Sequence, residues 1–115
     1  MRYCFCCDLK EDEQLIAEYE VAHKKIWPEI EASIKSAGIE SMEIYRVHTR
    51  LFMIMETNEA YSAEAKAKAD AENPVVVQWE TLMWSYQQKL PFAKPGEKWV
   101  PLKKIFELAT NDPHK

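Results

Sequence analysis

The segment that decides the fold is Glu40–Thr57, which reads ESMEIYRVHTRLFMIMET. Its two halves, residues 40–48 and 50–57, are rich in the aromatic, β-branched and large apolar residues that are typical of strands. Only Thr49 separates them, so the pattern predicts two antiparallel strands joined in a hairpin. The link contains no glycine, which leaves the turn type open.

The second strand of this hairpin is apolar on both of its faces. Successive side chains of a strand point to opposite sides of a sheet. One side therefore carries Leu51, Met53 and Met55, and the other carries Phe52 and Ile54. A small sheet with two apolar faces needs a cover on each of them, and helices predicted from the rest of the chain supply only one.

The chain before the hairpin predicts a strand and a long helix. Residues 2–9 have the composition of a strand, and residues 12–37 carry apolar residues at steps of three and four, as in an amphipathic helix. Pro28 lacks a backbone N–H and crowds the preceding turn, so we expect a kink near residues 24–28. Gly38 is the expected end of this helix.

The chain after the hairpin predicts two helices and one strand. Residues 59–71 are rich in Ala, Glu and Lys, which favours a surface helix. Residues 73–88 begin with Asn-Pro, a favourable N-cap and first-turn pair. Residues 89–101 contain three prolines and a glycine and predict a long loop, which is often functional. Residues 102–109 predict a last strand.

The resulting order is β-α-β-β-α-β, which predicts an α+β fold of the ferredoxin-like type, with a four-stranded antiparallel sheet covered by helices on one face. Self-association through the second sheet face is the simplest way to cover it, so we expect a homodimer. We interpret residues 1–109 as one domain and residues 110–115 as a tail that frays.

Composition excludes several classes of partner. The chain has 115 residues and a net charge of −4 at pH 7, with no stripe of Lys and Arg, so we expect neither nucleic acid nor an anionic membrane as a partner. No apolar run approaches the roughly 20 residues of a membrane span. No signal peptide is recognised at the N-terminus, and the expected compartment is the cytoplasm. Cys4, Cys6 and Cys7 predict buried thiols rather than a metal site.

Three side chains on one side of the long helix are the main chemical candidates. Tyr19, His23 and Trp27 are spaced i, i+4, i+8 and therefore lie along one stripe. A histidine between two aromatic rings could transfer protons to a ligand. It could also be a partly buried residue with one structural hydrogen bond. The rings, likewise, could bind a ligand or belong to the core.

Few other side chains offer chemistry. Trp79 and Trp84 fit the core and a sugar-stacking site equally well, and Glu43 and Glu56 fit a solvated sheet edge or a general base. His48 has the position of a surface turn residue, and His114 lies in the tail. No phosphate loop, nucleophile elbow or metal-spaced cluster is present in the sequence. The sequence therefore favours acid–base chemistry by His, Tyr and Glu side chains in an aromatic pocket, and it does not support a metal site.

The long helix resembles the signature helix of the L-rhamnose mutarotase family. The resemblance consists of Glu18-Tyr19, His23 and the run IWPEI at residues 26–30. Further matches cover nearly the whole chain and include Gly38, Ile44-Tyr45, Leu51–Met53 and Val77–Trp79. The segments 79–84 and 95–99 resemble the branch associated with L-fucose.

This resemblance implies a dimeric α/β barrel built from ferredoxin-like subunits. It implies that His23 is the general acid, and that Tyr19 and Trp79 bind a monosaccharide. The family's rhamnose-acting members carry a second tryptophan and an aromatic residue where this chain has Glu80 and Met42. These departures favour another 6-deoxyhexose over L-rhamnose. The further candidate substrate contacts are Glu80, Met42, Tyr45, Trp84 and Glu56.

The implied activity is interconversion of the α and β anomers of a 6-deoxy-L-hexose, L-rhamnose or L-fucose, by acid–base-catalysed opening and closing of the ring. The implied mechanism needs no cofactor. Two alternatives stay open at this point. One is a dimeric-barrel oxygenase or haem-degrading enzyme, since one fold can host unrelated chemistries. The other is a small-molecule binder without catalytic activity.

Overall fold

A computed structural model describes residues 1–108 of the chain. Its strands are β1 (Arg2–Leu9), β2 (Ile39–Val47), β3 (Arg50–Thr57), β4 (Gln87–Gln88) and β5 (Val100–Pro101). Its helices are α1 (Glu13–Lys24), α2 (Pro28–Ser36), α3 (Ala63–Glu72) and α4 (Pro74–Tyr86). The predicted order of strands and helices up to the end of α4 is confirmed, with the differences given below.

The sheet has the order β2-β3-β1-β4, with β5 also pairing with β1, and all of these pairs are antiparallel. This is the strand order of the ferredoxin-like fold, so the predicted fold class is confirmed. The hairpin between β2 and β3 pairs Val47 with Arg50. His48 in its two-residue turn adopts a positive φ of 51°, which is the backbone conformation that a tight hairpin turn requires and that glycine usually supplies.

One face of the sheet packs against helices and forms the core. The register places Cys7 opposite Leu51 and Phe5 opposite Met53. The core joins this face to residues of α1, α2 and α4, and its buried members are Cys7, Leu9, Tyr19, Ile30, Leu51, Val76, Trp79 and Met83. The other face leaves Tyr45, Val47 and Phe52 exposed. The sheet is therefore apolar on both faces, as its sequence indicates.

The expected kinked helix over residues 12–37 is two separate helices. Asp12 caps the first, because its Oδ1 accepts hydrogen bonds from the backbone N–H groups of Gln14 and Leu15 at 2.9 and 3.1 Å. The chain is extended at Lys25 and at Trp27. A residue before proline is biased away from helical geometry, and proline is well suited to the first position of a helix. Pro28 therefore begins α2 instead of bending α1.

The predicted strand over residues 102–109 is wrong for its described part, because residues 102–108 form neither strand nor helix and are exposed. The fourth strand, β4, instead follows α4 directly and pairs with the end of β1. Beyond it, β5 occupies the middle of the same β1 edge, and Leu102 N–H donates to Cys4 O at 2.8 Å. Within residues 1–108, the segment that follows Leu102 pairs with no strand. Residue 109 and the predicted tail lie outside the described residues.

Gly38 ends the α2 region as expected, and its geometry explains why a glycine stands there. Its φ is +97°, which side-chain-bearing residues rarely adopt. A Cβ at this position would lie 2.4 Å from Asn58 Oδ1. That oxygen is held in place because it accepts a hydrogen bond from Ala60 N–H at 3.0 Å. Backbone strain and steric conflict therefore act together at Gly38.

We expect Gly38→Ala to lower the free energy of unfolding more than Gly96→Ala. Gly96 also has a positive φ, of +80°, but a Cβ there would meet no atom within 4 Å. The control then reports backbone strain alone, about 1–2 kcal/mol. The Gly38 variant adds the conflict with Asn58, for a total of about 2–3 kcal/mol. Urea unfolding of both variants measures the difference, and equal losses would contradict this account of Gly38.

Candidate functional site

A cavity of about 280 Å³ lies between the helix-facing side of the sheet and the helices. This volume is close to the lower end of the range for small-molecule sites, roughly 300 Å³, and suits a ligand of monosaccharide size. Its sheet side is lined by apolar residues, and its helix side brings aromatic and polar groups together. The lining includes Met42, Ile44, Met53 and Met55 from the sheet, and Tyr19, His23, Trp79 and Glu80 from the helices.

His23 lies in the last turn of α1, where one ring nitrogen is fixed by the backbone. Its Nδ1 is 2.8 Å from the carbonyl oxygen of Tyr19. A carbonyl oxygen only accepts hydrogen bonds, so Nδ1 carries the hydrogen and donates it. In the neutral ring the other nitrogen, Nε2, then has a free lone pair. Burial lowers the pKa of His23 below its ordinary value, which favours this neutral form.

Two aromatic rings contact the imidazole of His23. The ring centroid of Tyr19 is 4.2 Å from that of His23, and the ring of Trp79 meets His23 edge-on at 5.6 Å. Trp27, at the start of α2, contacts Trp79 edge-on at 5.0 Å. Trp79 therefore links the two halves of the broken helix. Trp27 contributes to the site by fixing Trp79, as a packing residue.

Tyr19 is buried, with 3% of its surface exposed, and its hydroxyl oxygen accepts a hydrogen bond from Gln87 Nε2 at 3.3 Å. Burial raises the pKa of the Tyr19 hydroxyl well above its usual range. The hydroxyl therefore stays protonated at any ordinary pH. It can donate a hydrogen bond to a ligand, but it cannot act as the base.

Two ion pairs line the cavity, Lys66–Asp70 and Lys98–Glu80, and the second lies beside the tryptophans of α4. The ammonium group of Lys98, whose residue is only 9% exposed, pairs with the Glu80 carboxylate and lies 5.1 Å from the centre of the Trp84 ring. Trp84 thus supports Lys98 by a cation–π contact and is not among the cavity-lining residues. The loop after β4 brings Lys98 and Trp99 back to the helices, where both residues line the cavity.

The structure brings most of the predicted site residues together. Tyr19, His23, Met42, Trp79 and Glu80 all line the one cavity. This convergence of residues from α1, β2 and α4 is what the resemblance leads one to expect, and their individual roles remain proposals.

Tyr45 and Glu56 are not brought into this cavity. Residues of a strand alternate between faces, and both of these residues point to the side of the sheet away from the helices. Tyr45 is 52% exposed there. Glu56 pairs with Arg2 at 2.6 Å on the neighbouring strand. This cavity therefore does not include them, and their contact with a substrate stays a prediction.

Sequence reasoning missed Gln87 and Lys98. Gln87 falls inside the segment predicted as helix, and its burial follows from the switch to β4 at that residue. Lys98 lies in the predicted loop, where a buried lysine is unusual. Only the paired carboxylate and the tryptophan ring, contributed by α4, explain its burial.

The described residues hold no group of three or more His, Cys, Asp and Glu side chains that could bind a metal ion. Cys4, Cys6 and Cys7 are free thiols, and burial raises the pKa of Cys7 to about 11, so this thiol is not a ready nucleophile. Among the helices of residues 1–108, none is long and apolar enough to cross a membrane.

Comparisons with known proteins agree with this geometry. The family model of L-rhamnose mutarotase matches residues 2–108. An L-fucose mutarotase of Xanthomonas campestris pv. campestris is 46% identical over 94% of this chain and 88% of its own length. An L-rhamnose mutarotase of Acidiphilium cryptum is 31% identical over 80% of this chain and 85% of its own length.

A solved structure supports the fold. The crystal structure of an L-rhamnose mutarotase from Formosa agariphila superimposes with a TM-score of 0.69. The match covers 95% of this chain and 99% of that one, at 20% sequence identity.

We expect the imidazole of His23 to titrate below its ordinary pKa and to carry its hydrogen on Nδ1 when neutral. Burial disfavours the charged ring, and the Tyr19 carbonyl accepts only from a protonated nitrogen. Nitrogen-15 NMR of the imidazoles across a pH series reports both properties, with His23→Gln to assign the signals. A neutral ring protonated on Nε2, or a raised pKa, would contradict this description of the site.

Proposed function

Since this chain belongs to the L-rhamnose mutarotase family, we propose that it interconverts the α and β anomers of a 6-deoxy-L-hexose in the cavity around His23. The observation that carries the proposal is the imidazole itself. It is anchored through Nδ1 to a backbone carbonyl, faces a cavity of monosaccharide size and is held between Tyr19 and Trp79. A positioned proton-transfer group is what opening a sugar ring requires.

The tautomer sets the order of proton transfers in this proposal. Neutral His23 first accepts the hydrogen of the anomeric hydroxyl on Nε2, while the bond between C1 and the ring oxygen breaks. The resulting imidazolium returns a proton to the ring oxygen. Both oxygens are bonded to C1, so one nitrogen can serve both. The aldehyde rotates about the C1–C2 bond and closes to the other anomer, with no net gain or loss of protons or electrons.

The walls of the cavity suit a 6-deoxy sugar. Trp79 offers an aromatic ring to the C–H face of a pyranose, and the methionines of β2 and β3 offer an apolar surface to the methyl group that replaces the C6 hydroxymethyl. The charged groups of the lining form two ion pairs, Glu80–Lys98 and Lys66–Asp70, and the charges of each pair offset each other. A neutral, partly apolar ligand fits this arrangement.

We propose L-fucose as the preferred sugar. L-Fucose and L-rhamnose differ in the orientation of ring hydroxyls, so a site that distinguishes them needs differently placed polar groups. Glu80, paired with Lys98, supplies such groups where the family's rhamnose-acting members are expected to carry an aromatic ring. The 46% identity to an L-fucose mutarotase, against 31% to an L-rhamnose mutarotase, supports the same choice.

We also propose that the protein is a homodimer and works in the cytoplasm. The outer face of the sheet exposes Tyr45, Val47 and Phe52, a surface that a second copy of the same sheet would cover. Free clustered thiols fit a reducing compartment.

Replacing His23 tests the catalytic proposal. We expect His23→Gln to slow the exchange between α and β anomers by about 10²- to 10⁴-fold, because the proton-transfer group is removed. Saturation-transfer NMR with L-fucose and L-rhamnose measures the exchange directly. In the wild type the rate should fall as the pH drops through the lowered pKa of His23, since the protonated ring cannot accept the first proton.

The matched control is His48→Asn, an exposed histidine in a turn whose positive φ asparagine tolerates. It should exchange anomers like the wild type. Unchanged exchange of both sugars in His23→Gln would refute the assignment of the active site, and a rate that falls with rising pH would reverse the order of proton transfers.

Charging the outer sheet face tests the dimer. We expect the wild type to sediment at twice its chain mass of 13.5 kDa, and Phe52→Asp to sediment as a monomer, because a buried unpaired carboxylate disfavours association. Phe92→Asp, at an exposed phenylalanine outside the sheet, is the control and should leave the mass unchanged. A wild-type monomer would argue against the dimer.

A further inference from the structure

Gln87 has an unsatisfied polar atom in the wall of the cavity. The residue lies where α4 passes into β4, lines the cavity and is 3% exposed. Its Nε2 donates to the Tyr19 hydroxyl at 3.3 Å, while its Oε1 is buried without a hydrogen-bond partner among residues 1–108. Native proteins rarely leave such an atom unpaired unless water or a ligand completes it.

The orientation of the amide does not remove this feature. If the side-chain amide is turned over, Oε1 accepts a hydrogen bond from Tyr19, and the nitrogen is the atom left unpaired. Either way, one end of the amide is bound to Tyr19 and the other end lacks a protein partner. The unsatisfied position therefore belongs to the site, whichever way the amide is turned.

Another polar cluster in the cavity lining is satisfied within the protein. There the Lys66 ammonium donates to Asp70 at 2.5 Å and to Ser33 at 3.1 Å, and Ser33 donates to Asp70 at 3.3 Å. These three side chains therefore satisfy one another through hydrogen bonds. The oxygen of Gln87 has no such partner among residues 1–108, and its amide is bound to Tyr19, whose ring contacts His23.

Tyr19 adds a free donor beside this acceptor. Its oxygen receives the hydrogen of Gln87 Nε2, and no acceptor for its own hydrogen is present among the described residues. The phenol stays protonated because it is buried. One acceptor and one donor thus belong to two hydrogen-bonded side chains that both line the cavity, and a hydroxyl group can satisfy both at once because it donates one hydrogen and accepts another.

We propose that Gln87 and Tyr19 together bind one non-anomeric hydroxyl of the sugar, with Gln87 Oε1 accepting its hydrogen and Tyr19 donating to its oxygen. This inference rests on the proposed function and assigns Gln87 as a specificity-determining residue. His23 is reserved for the anomeric centre, so the hydroxyl bound here is one whose orientation distinguishes one 6-deoxyhexose from another.

The backbone keeps Gln87 in place for this role. Its N–H donates to Met83 O at the end of α4, and its pairing with Leu9 fixes it at the edge of β1. The amide is therefore positioned before a ligand arrives, and less conformational freedom is lost on binding. A sugar lacking the matching hydroxyl would leave the amide unpaired, which is the situation in which a polar site discriminates strongly.

The test combines substitution with removal of single sugar hydroxyls. We expect Gln87→Met to lower kcat/KM for L-fucose about tenfold, as for loss of one hydrogen bond. For the wild type, kcat/KM should be lower with one of the 2-, 3- and 4-deoxy-L-fucose analogues than with L-fucose. For that analogue Gln87→Met and wild type should have the same kcat/KM, because the hydroxyl that Gln87 binds is already missing. Gln88→Met, at the exposed neighbouring residue, should match wild type with every sugar.

Three results would overturn the proposal. They are a wild type insensitive to every deoxy position, a Gln87→Met variant with unchanged kcat/KM, and a Gln87→Met variant whose loss is the same for all the sugars. The last of these would indicate a structural role. If Gln87→Met does not fold, Tyr19→Phe provides the second variant, since it removes the donor to the same hydroxyl and should erase sensitivity to the same deoxy position.

Sugar binding separates this inference from the proposed function. Ligand-observed NMR with L-fucose measures affinity without any need for turnover. If wild type binds L-fucose without exchanging its anomers, the mutarotase proposal fails. The role of Gln87 is then tested by binding alone. It is supported if Gln87→Met weakens binding of L-fucose and leaves binding of the one matching deoxy analogue unchanged, and it is refuted by any other result.

Discussion

The break between α1 and α2 is the constraint on which the site depends. Pro28 can begin a helix but cannot continue one without the loss of a hydrogen bond, so the chain leaves helical geometry between Lys24 and Pro28. His23 consequently lies in a terminal turn, where its ring bonds back to the Tyr19 carbonyl. Trp27 is turned onto Trp79, and Trp79 in turn packs against His23. One backbone constraint thereby positions the catalytic candidate and the ring beside it.

The electrostatics of the cavity follow from its burial. Desolvation keeps His23 neutral and Tyr19 protonated, because charging either would cost more than in water. The charged groups Glu80 and Lys98 are paired with each other. A cavity whose charged side chains are paired with one another suits an uncharged ligand.

Local sequence signals predicted the elements whose causes are local. The strand pattern of residues 40–57, the capping Asn before Pro74 and the glycine at position 38 each act within a few residues, and each was confirmed. The resemblance carried by Tyr19, His23 and the IWPEI run predicted the cluster on α1. The strand-like composition of residues 102–108 led to a wrong prediction, because composition does not say where the chain meets a sheet edge. In the structure β4 pairs with Asp8 and Leu9, β5 pairs with Phe5 and Cys6, and the chain leaves the edge of β1 after Leu102.

The sequence by itself determined the order of helices and strands up to the end of α4, the two apolar faces of the sheet and the family. Tertiary structure decided which polar groups meet. It placed Glu56 and Tyr45 on the face away from the helices. Strand alternation says which residues share a face, but only the packing of the helices decides which face is covered. It also brought Gln87 to Tyr19, across 68 residues of chain, and Lys98 to Glu80. Such contacts depend on how segments that are distant in the chain pack together, and a short-range sequence pattern contains no information about that packing.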